Sequence, residues 1–155
     1  MSVKTPVAAL PMGPALDFLA RLWRLEHARE QLSGRMERRW GVTAQQRMVI
    51  RCIGTYPGIT AGQLAATLHV DAGTVSATLR RLEERQLVQR RRDPNDSRRV
   101  TLGLTPAGRR LDAPAEGTVE AAVTELLRDV DPAQLAATVA VLERLRSLLD
   151  ATLGE

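Results

Sequence analysis

The stretch from Asp71 to Leu104 constrains the fold more than any other part of the chain. Asp71 is a good helix N-cap, and Val75, Leu79 and Leu82 follow at steps of three and four. That spacing predicts a helix to about Arg85 with those three residues turned inward. Two short extended runs come next, Leu87–Arg91 and Arg99–Leu104. They flank Asp93-Pro94-Asn95-Asp96-Ser97, a turn by composition. Val100, Leu102 and Leu104 alternate with Thr101 and Gly103, the period of a half-buried strand. A hairpin that carries Arg90, Arg91, Arg92, Arg98 and Arg99 is a poor core element. It is suited to lie against phosphate or in a minor groove.

The elements before this stretch are capped in the same style. Thr60 with Gln63 forms a capping box for a short helix with Leu64, Ala65 and Leu68 on its apolar side. His69-Val70 joins it tightly to the helix at Asp71, which makes a helix-turn-helix. Thr43 with Gln46 opens another helix, to about Thr55, with Met48, Val49, Cys52 and Ile53 as its expected core face. Tyr56-Pro57-Gly58 is a turn. Pro14–Trp40 reads as one long helix ended by Gly41. One stripe holds Phe18, Leu22, Leu25, Leu32, Met36 and Trp40; a second, about opposite, holds Leu16, Leu19, Ala20 and Trp23. A helix apolar on two sides must be covered on two sides, and in so short a chain the second cover is expected from another subunit. Residues 1–13 read as a flexible arm.

Beyond the hairpin, Thr105-Pro106 starts a helix that Pro114 and Gly117 should interrupt. The apolar pattern resumes at Val119, Val123, Leu126, Leu127 and Val130. Asp131-Pro132 caps a last helix with Leu135, Val139, Leu142, Leu149 and Leu153 near heptad spacing, suited to a partner helix. The expected architecture is mainly α with a small β wing. Residues 41–105 would form a winged helix-turn-helix. Residues 14–40 and 106–155 would form N- and C-terminal dimerisation helices.

Charge is distributed unevenly. Residues 80–110 carry ten Arg and four acids, whereas residues 111–155 carry three Arg and nine acids. A concentrated basic segment is the electrostatic footprint of a nucleic-acid binder. The 44% hydrophobic content supports a real core. No apolar run approaches the roughly 18–20 residues that span a bilayer, and the N-terminus does not read as a signal peptide, so a cytoplasmic protein is expected, without a membrane partner. One Cys cannot form an internal disulfide, and two His with one Cys do not suggest a metal site. No GxSxG, P-loop, HExxH or paired-Cys motif is present, which argues against an enzyme and against a bound cofactor.

Projected at 100° per residue, the helix from Asp71 turns Gly73, Ala77, Arg80, Arg81 and Glu84 away from its core stripe, with Thr74 and Ser76 on the flanks. Small residues near the helix N-terminus permit close approach to base edges, and Ser and Thr offer hydrogen bonds. An ordinary amphipathic surface helix would look similar; the Arg hairpin that follows favours the nucleic-acid reading.

The string ITAGQLAATLHVDAGTVSATLRRLEERQLVQRRRDPNDSRRVTLGLTPAG, residues 59–108, resembles the MarR family of dimeric winged-helix transcriptional regulators. The matches are Asp71 through Ser76, Leu82-Glu83 followed by Leu87-Val88, the Asp93-Pro94-x-Asp96-x-Arg98 tip, and the Leu104-Thr105-Pro106-Ala107-Gly108 exit. The resemblance implies a homodimer on a pseudo-palindromic double-stranded DNA operator, and usually repression. By position, Ala72, Gly73, Thr74, Ser76 and Arg80 would face the major groove. Arg98 would enter the minor groove, braced by Asp96, and Arg90, Arg91 and Arg99 would serve phosphates.

The resemblance also implies a small aromatic or phenolic effector. Its expected lining here is Trp23 and His27, Arg51 or Cys52, and Val119 or Val123. Packing roles compete with each of these, a dimer-interface hydrogen bond for His27 above all. The Asp-x-Gly-Thr spelling also resembles the peroxide-sensing branch, but the stretch Pro14–Ala20, where that branch places its reactive Cys, has none. Cys52 shares a stripe with Val49 and Ile53 and is expected to be inert. Two rival readings remain: a non-specific architectural DNA-binding protein, and a winged-helix protein-interaction module.

Overall fold

The structure is a computed structural model, and it describes residues 10–93, 96 and 98–154. Its elements run α1 (Pro14–Trp40), α2 (Ala44–Thr55), α3 (Ala61–Leu68), α4 (Ala72–Glu84), β1 (Val88–Arg92), β2 (Val100–Leu104), α5 (Pro106–Asp112), α6 (Val119–Asp129) and α7 (Pro132–Leu153). The chain divides into two compact units, residues 1–113 and 114–155. Residues 1–9 of the expected arm, and Pro94, Asn95 and Ser97 of the wing turn, lie outside the described residues.

The helix ends are where the caps put them. Pro14 occupies the first turn of α1, and Gly41 closes that helix at φ 73°, its N–H donating to the Glu37 carbonyl at 2.7 Å. Thr43 and Thr60 form complete capping boxes with Gln46 and Gln63. Asp71 accepts the Thr74 N–H at 2.8 Å and also the Thr74 hydroxyl. Those bonds hold the Asp71 carboxyl below the usual carboxylate range, so it stays ionised beside the positive end of α4 at neutral pH.

The core of the first unit is Val42, Val49, Ile50, Ile53, Ile59, Leu64, Val75, Leu79, Leu82, Val88, Leu102 and Leu104, with Cys52 among them. Two expectations about α2 need correction. Met48 is 58% exposed rather than in the core, and Ile50, fully buried, takes its place. Around the helix Met48 lies with exposed Gln45 and Thr55 on the outward side, whereas the buried face runs through Gln46, Val49, Ile50 and Ile53. The hairpin strands each begin one residue later than the sequence suggests, at Val88 and Val100. They pair antiparallel, Val88 with Leu104 through Arg92 with Val100. On the other edge of β2, Leu102 N–H donates to the Ile59 carbonyl at 2.8 Å, so the α2–α3 connection anchors the wing to the helices.

The exit from the wing is tight. Thr105 caps α5, and its hydroxyl donates to the Gln86 carbonyl at 2.7 Å. This draws α5 so close to β1 that a Cβ on Gly108 would collide with the Leu87 carbonyl. Gly108→Ala should therefore lower stability by about 1–3 kcal/mol, the cost of overpacking against backbone that cannot yield. Gly62→Ala, which meets open space in α3, is the control and should be neutral or slightly stabilising. Urea denaturation of both variants checks this; equal stability would mean that α5 can shift freely.

In the second unit Thr118 caps α6 through the Ala121 N–H, and Asp131 caps α7 through Ala133 and Gln134. Neither α6 nor α7 has a buried residue.

Candidate nucleic-acid interface

The recognition candidate is α4. Its Val75, Thr78, Leu79 and Leu82 are buried, while Ala72, Gly73, Ser76, Ala77 and Arg80 are exposed. Small residues thus occupy the first outward turns of a capped N-terminus. Thr74 is half-buried, and its hydroxyl proton is committed to Asp71. Its part in any recognition is therefore the methyl group and the remaining lone pairs. Arg80 sits beside Glu84, Nε to Oε1 at 3.8 Å, an exposed pair that water screens.

The wing carries five arginines, and the structure sorts them. Arg90 Nε meets Glu83 Oε1 at 2.6 Å, which fixes its guanidinium against the end of α4. Arg99 Nε stands 3.8 Å from Asp93 Oδ2. Arg91, Arg92 and Arg98 are exposed and have no acidic partner among the described residues. Asp96 does not ion-pair with Arg98. Instead its Oδ1 accepts the Arg98 backbone N–H at 3.0 Å, and its carbonyl accepts the Arg99 N–H at 2.9 Å. The two residues are only two apart in a tight loop, so the carboxylate meets the main chain before it can reach the side-chain tip. Asp96 shapes the loop and leaves the Arg98 guanidinium uncommitted.

Sequence reasoning missed the partners Glu83 and Asp93. Glu83 and Arg90 are seven apart across a helix end and a strand start, where no helical spacing applies. It also missed Arg47, only 1% exposed, which donates to the Leu111 carbonyl at 2.6 Å and the Ala113 carbonyl at 2.7 Å.

The expected effector residues are dispersed over their elements. Trp23 and His27 share an open groove of about 430 Å³ on α1 with Arg24, Ala28 and Gln31. Trp23 is 75% exposed, and a ring nitrogen of His27 lies 2.9 Å from Gln31 Nε2. Arg51 Nη1 is paired with Asp112 Oδ1 at 2.9 Å. Cys52 is packed in the core, and burial pushes its thiol up, so it offers neither surface nor thiolate. Val119 is half-buried and Val123 exposed, both on α6 in the second unit. Among the described residues no group of His, Cys, Asp and Glu stands ready to hold a metal, and no helix is long and apolar enough to cross a membrane.

A helix-turn-helix with a basic two-stranded hairpin packed on its second helix defines a winged helix-turn-helix domain. Residues 42–100 match the family model described as MarR family. That stretch is similar to MarR-family domains, and the match lies within the helix-turn-helix and its hairpin. The chain is 29% identical over 105 residues to a Thauera aromatica protein named as a transcriptional regulatory protein for the hcr operon; the match covers 68% of this chain and 63% of that relative. Among solved structures, the PcaV transcriptional regulator of Streptomyces coelicolor in complex with its natural ligand superposes with a TM-score of 0.64 at 25% identity. It covers 91% of this chain and 98% of that one. The S. aureus MepR–DNA complex shares the fold, with a TM-score of 0.66 at 24% identity over 86% of this chain and 95% of that one.

Proposed function

We propose that this chain is a homodimeric, sequence-specific DNA-binding repressor that acts in the cytoplasm on a pseudo-palindromic operator and is released by a small-molecule effector. The observation that carries the DNA reading is the uncommitted Arg98, held on a loop shaped by Asp96, next to a capped helix that presents only small residues at its outer N-terminal turns. In this reading Ala72, Gly73, Thr74, Ser76 and Arg80 face the major groove, and Arg98 enters the minor groove. Arg90, Arg91 and Arg99 serve phosphates, with Glu83 and Asp93 orienting the first and last of these.

The dimer reading rests on exposed apolar surface. Leu16, Leu19, Trp23 and Leu25 on α1 are each more than half exposed, and α7 shows a row of exposed Leu and Val. The effector reading starts from the Trp23–His27 groove, whose flat indole and polar ring suit a small aromatic or phenolic compound. PcaV, as solved, holds a ligand of its own. Cys52 is excluded from that site by its burial.

The test is fluorescence anisotropy with DNA from the protein's own upstream region beside scrambled DNA, across a salt series. Preference for the upstream fragment with a steep salt slope supports the reading. Equal binding to both favours an architectural role, and no binding at low salt favours an interaction module. Arg98→Ala should cost about 1–3 kcal/mol of binding and lower the salt slope by about one, with the dimer intact. Unchanged affinity would remove Arg98 from the minor groove.

A further inference from the structure

The wing and the first helix of the helix-turn-helix enclose an open groove of about 500 Å³, lined by Tyr56, Pro57, Ile59, Gln63, Thr67 and Arg99 with their neighbours. None of its described lining residues is acidic. Its polar side chains have protons to give, and Thr67 stands apart from the other described threonines in making no side-chain hydrogen bond. Every other described threonine hydrogen-bonds within the chain. Thr55, Thr78, Thr124, Thr138 and Thr152 bond back to carbonyls one turn earlier. Thr43, Thr60, Thr105 and Thr118 cap helices, Thr74 bonds Asp71, and Thr101 bonds the Arg91 carbonyl. Thr67 makes no such bond, although its helix offers the same carbonyl, and the Tyr56 hydroxyl also has no partner among the described residues.

Gln63 contributes a third donor. Its Oε1 is occupied by the Thr60 N–H and hydroxyl at 3.0 and 3.1 Å, so the amide group is what it can present outward. Arg99 is the fourth. Its backbone is pinned where the wing loop leaves the strands, between Asp93 N–H and the Asp96 carbonyl. Its side chain lines the groove beside α3, and the 3.8 Å approach of Asp93 to Nε leaves the terminal nitrogens able to bond elsewhere. Two hydroxyls, an amide and a guanidinium around one groove form a donor set for a tetrahedral oxyanion.

We propose that this groove is a phosphate-binding site, with Tyr56, Gln63, Thr67 and Arg99 as its donors. The site rests on the DNA-binding reading above in one respect. Its Arg99 is the chain neighbour of Arg98, which that reading assigns to the minor groove, so a phosphate seated between α3 and the wing loop would lie close to that contact. A DNA backbone phosphate and a free phosphate share this chemistry, and the experiment separates them.

Full-length protein carrying Tyr56→Phe with Thr67→Val, both at exposed positions, is compared with Arg99→Gln, Arg98→Ala and wild type. Operator anisotropy is measured across a salt series, and phosphorus NMR line broadening with inorganic phosphate at matched ionic strength. The double variant should bind DNA about tenfold more weakly with its salt slope unchanged, because hydrogen bonds are lost but no cation. Arg99→Gln should lower the slope by about one. If DNA affinity is unchanged but wild type broadens the phosphate signal and the double variant does not, the ligand is a free phosphate. Unchanged DNA binding in the groove variants together with no phosphate broadening overturns the site. A weakened Arg98→Ala in that same experiment would leave the DNA reading standing; an unaffected one would remove that reading while the NMR arm still decides the groove.

Discussion

Arg47→Ala is expected to lower the stability of the first unit by about 4 kcal/mol, as the loss of two hydrogen bonds from a charged donor at about 1.5–3 kcal/mol each. The side chain is buried and runs from the middle of α2 to the end of α5. There it satisfies the Leu111 and Ala113 carbonyls, which have no helical partner because α5 stops at Asp112. Its guanidinium also lies 5.9 Å from the Trp40 ring centre, at the end of α1. One side chain thus ties together three helices. Burying a cation is costly in itself, and the two carbonyls offset that cost by accepting along the planar fork. The neighbouring turns of α2 add to the grip. Arg51 pairs with Asp112, and Gly54 touches the same carboxylate so closely that a Cβ would not fit.

Two variants make the argument specific. Arg47→Met keeps most of the stem volume and should recover the packing share but not the hydrogen bonds. Arg47→Lys keeps the charge without the fork and should also remain well below wild type. Urea unfolding read by far-UV circular dichroism checks the series. A loss below about 1 kcal/mol for Arg47→Ala would show that water serves the two carbonyls as well as the guanidinium does.

Local chemistry was legible in the sequence wherever a residue acts on its own neighbours. Thr43, Thr60, Asp71, Thr105 and Asp131 cap the helices that the pattern assigned to them. Val75, Leu79 and Leu82 face the core at the helical period that selected them. What was not legible depends on residues brought together across the chain. Arg47 looks like any helix arginine until α5, 64 residues on, delivers its carbonyls. Glu83 and Arg90 meet only because α4 ends and β1 turns back along it. The Thr67 hydroxyl is informative only against the bonds that the other threonines make. Asp96 and Arg98 were legible as a loop device, but whether the carboxylate would take the backbone or the side chain is decided by the turn itself.

Leu142→Glu is expected to abolish dimerisation and operator binding together. The 22 residues of α7 include none that is buried, and Leu135, Val139, Leu142, Leu149 and Leu153 stand 39–84% exposed at steps of three, four and seven. That row has the spacing of a two-helix seam, and the proposed dimer would bury it. Arg146 stands on it between Leu142 and Leu149, held by Glu143 at 3.0 Å and Asp150 at 2.5 Å. A neutralised cation at one seam position leaves the apolar positions to supply association. A carboxylate at position 142 would be desolvated on both protomers, at several kcal/mol for each. That is enough to weaken dimerisation by about a thousandfold or more. A monomer engages one half-site, so it forfeits the gain of binding two at once. Ala140→Glu places the same charge on the other side of the helix, four residues before Arg144, and should leave dimer and binding intact. Sedimentation equilibrium with operator anisotropy on both variants decides the matter. A dimeric, fully binding Leu142→Glu would place the subunit contact on α1 or α6 instead, where Leu19, Trp23, Leu126 and Leu127 are the exposed apolar residues.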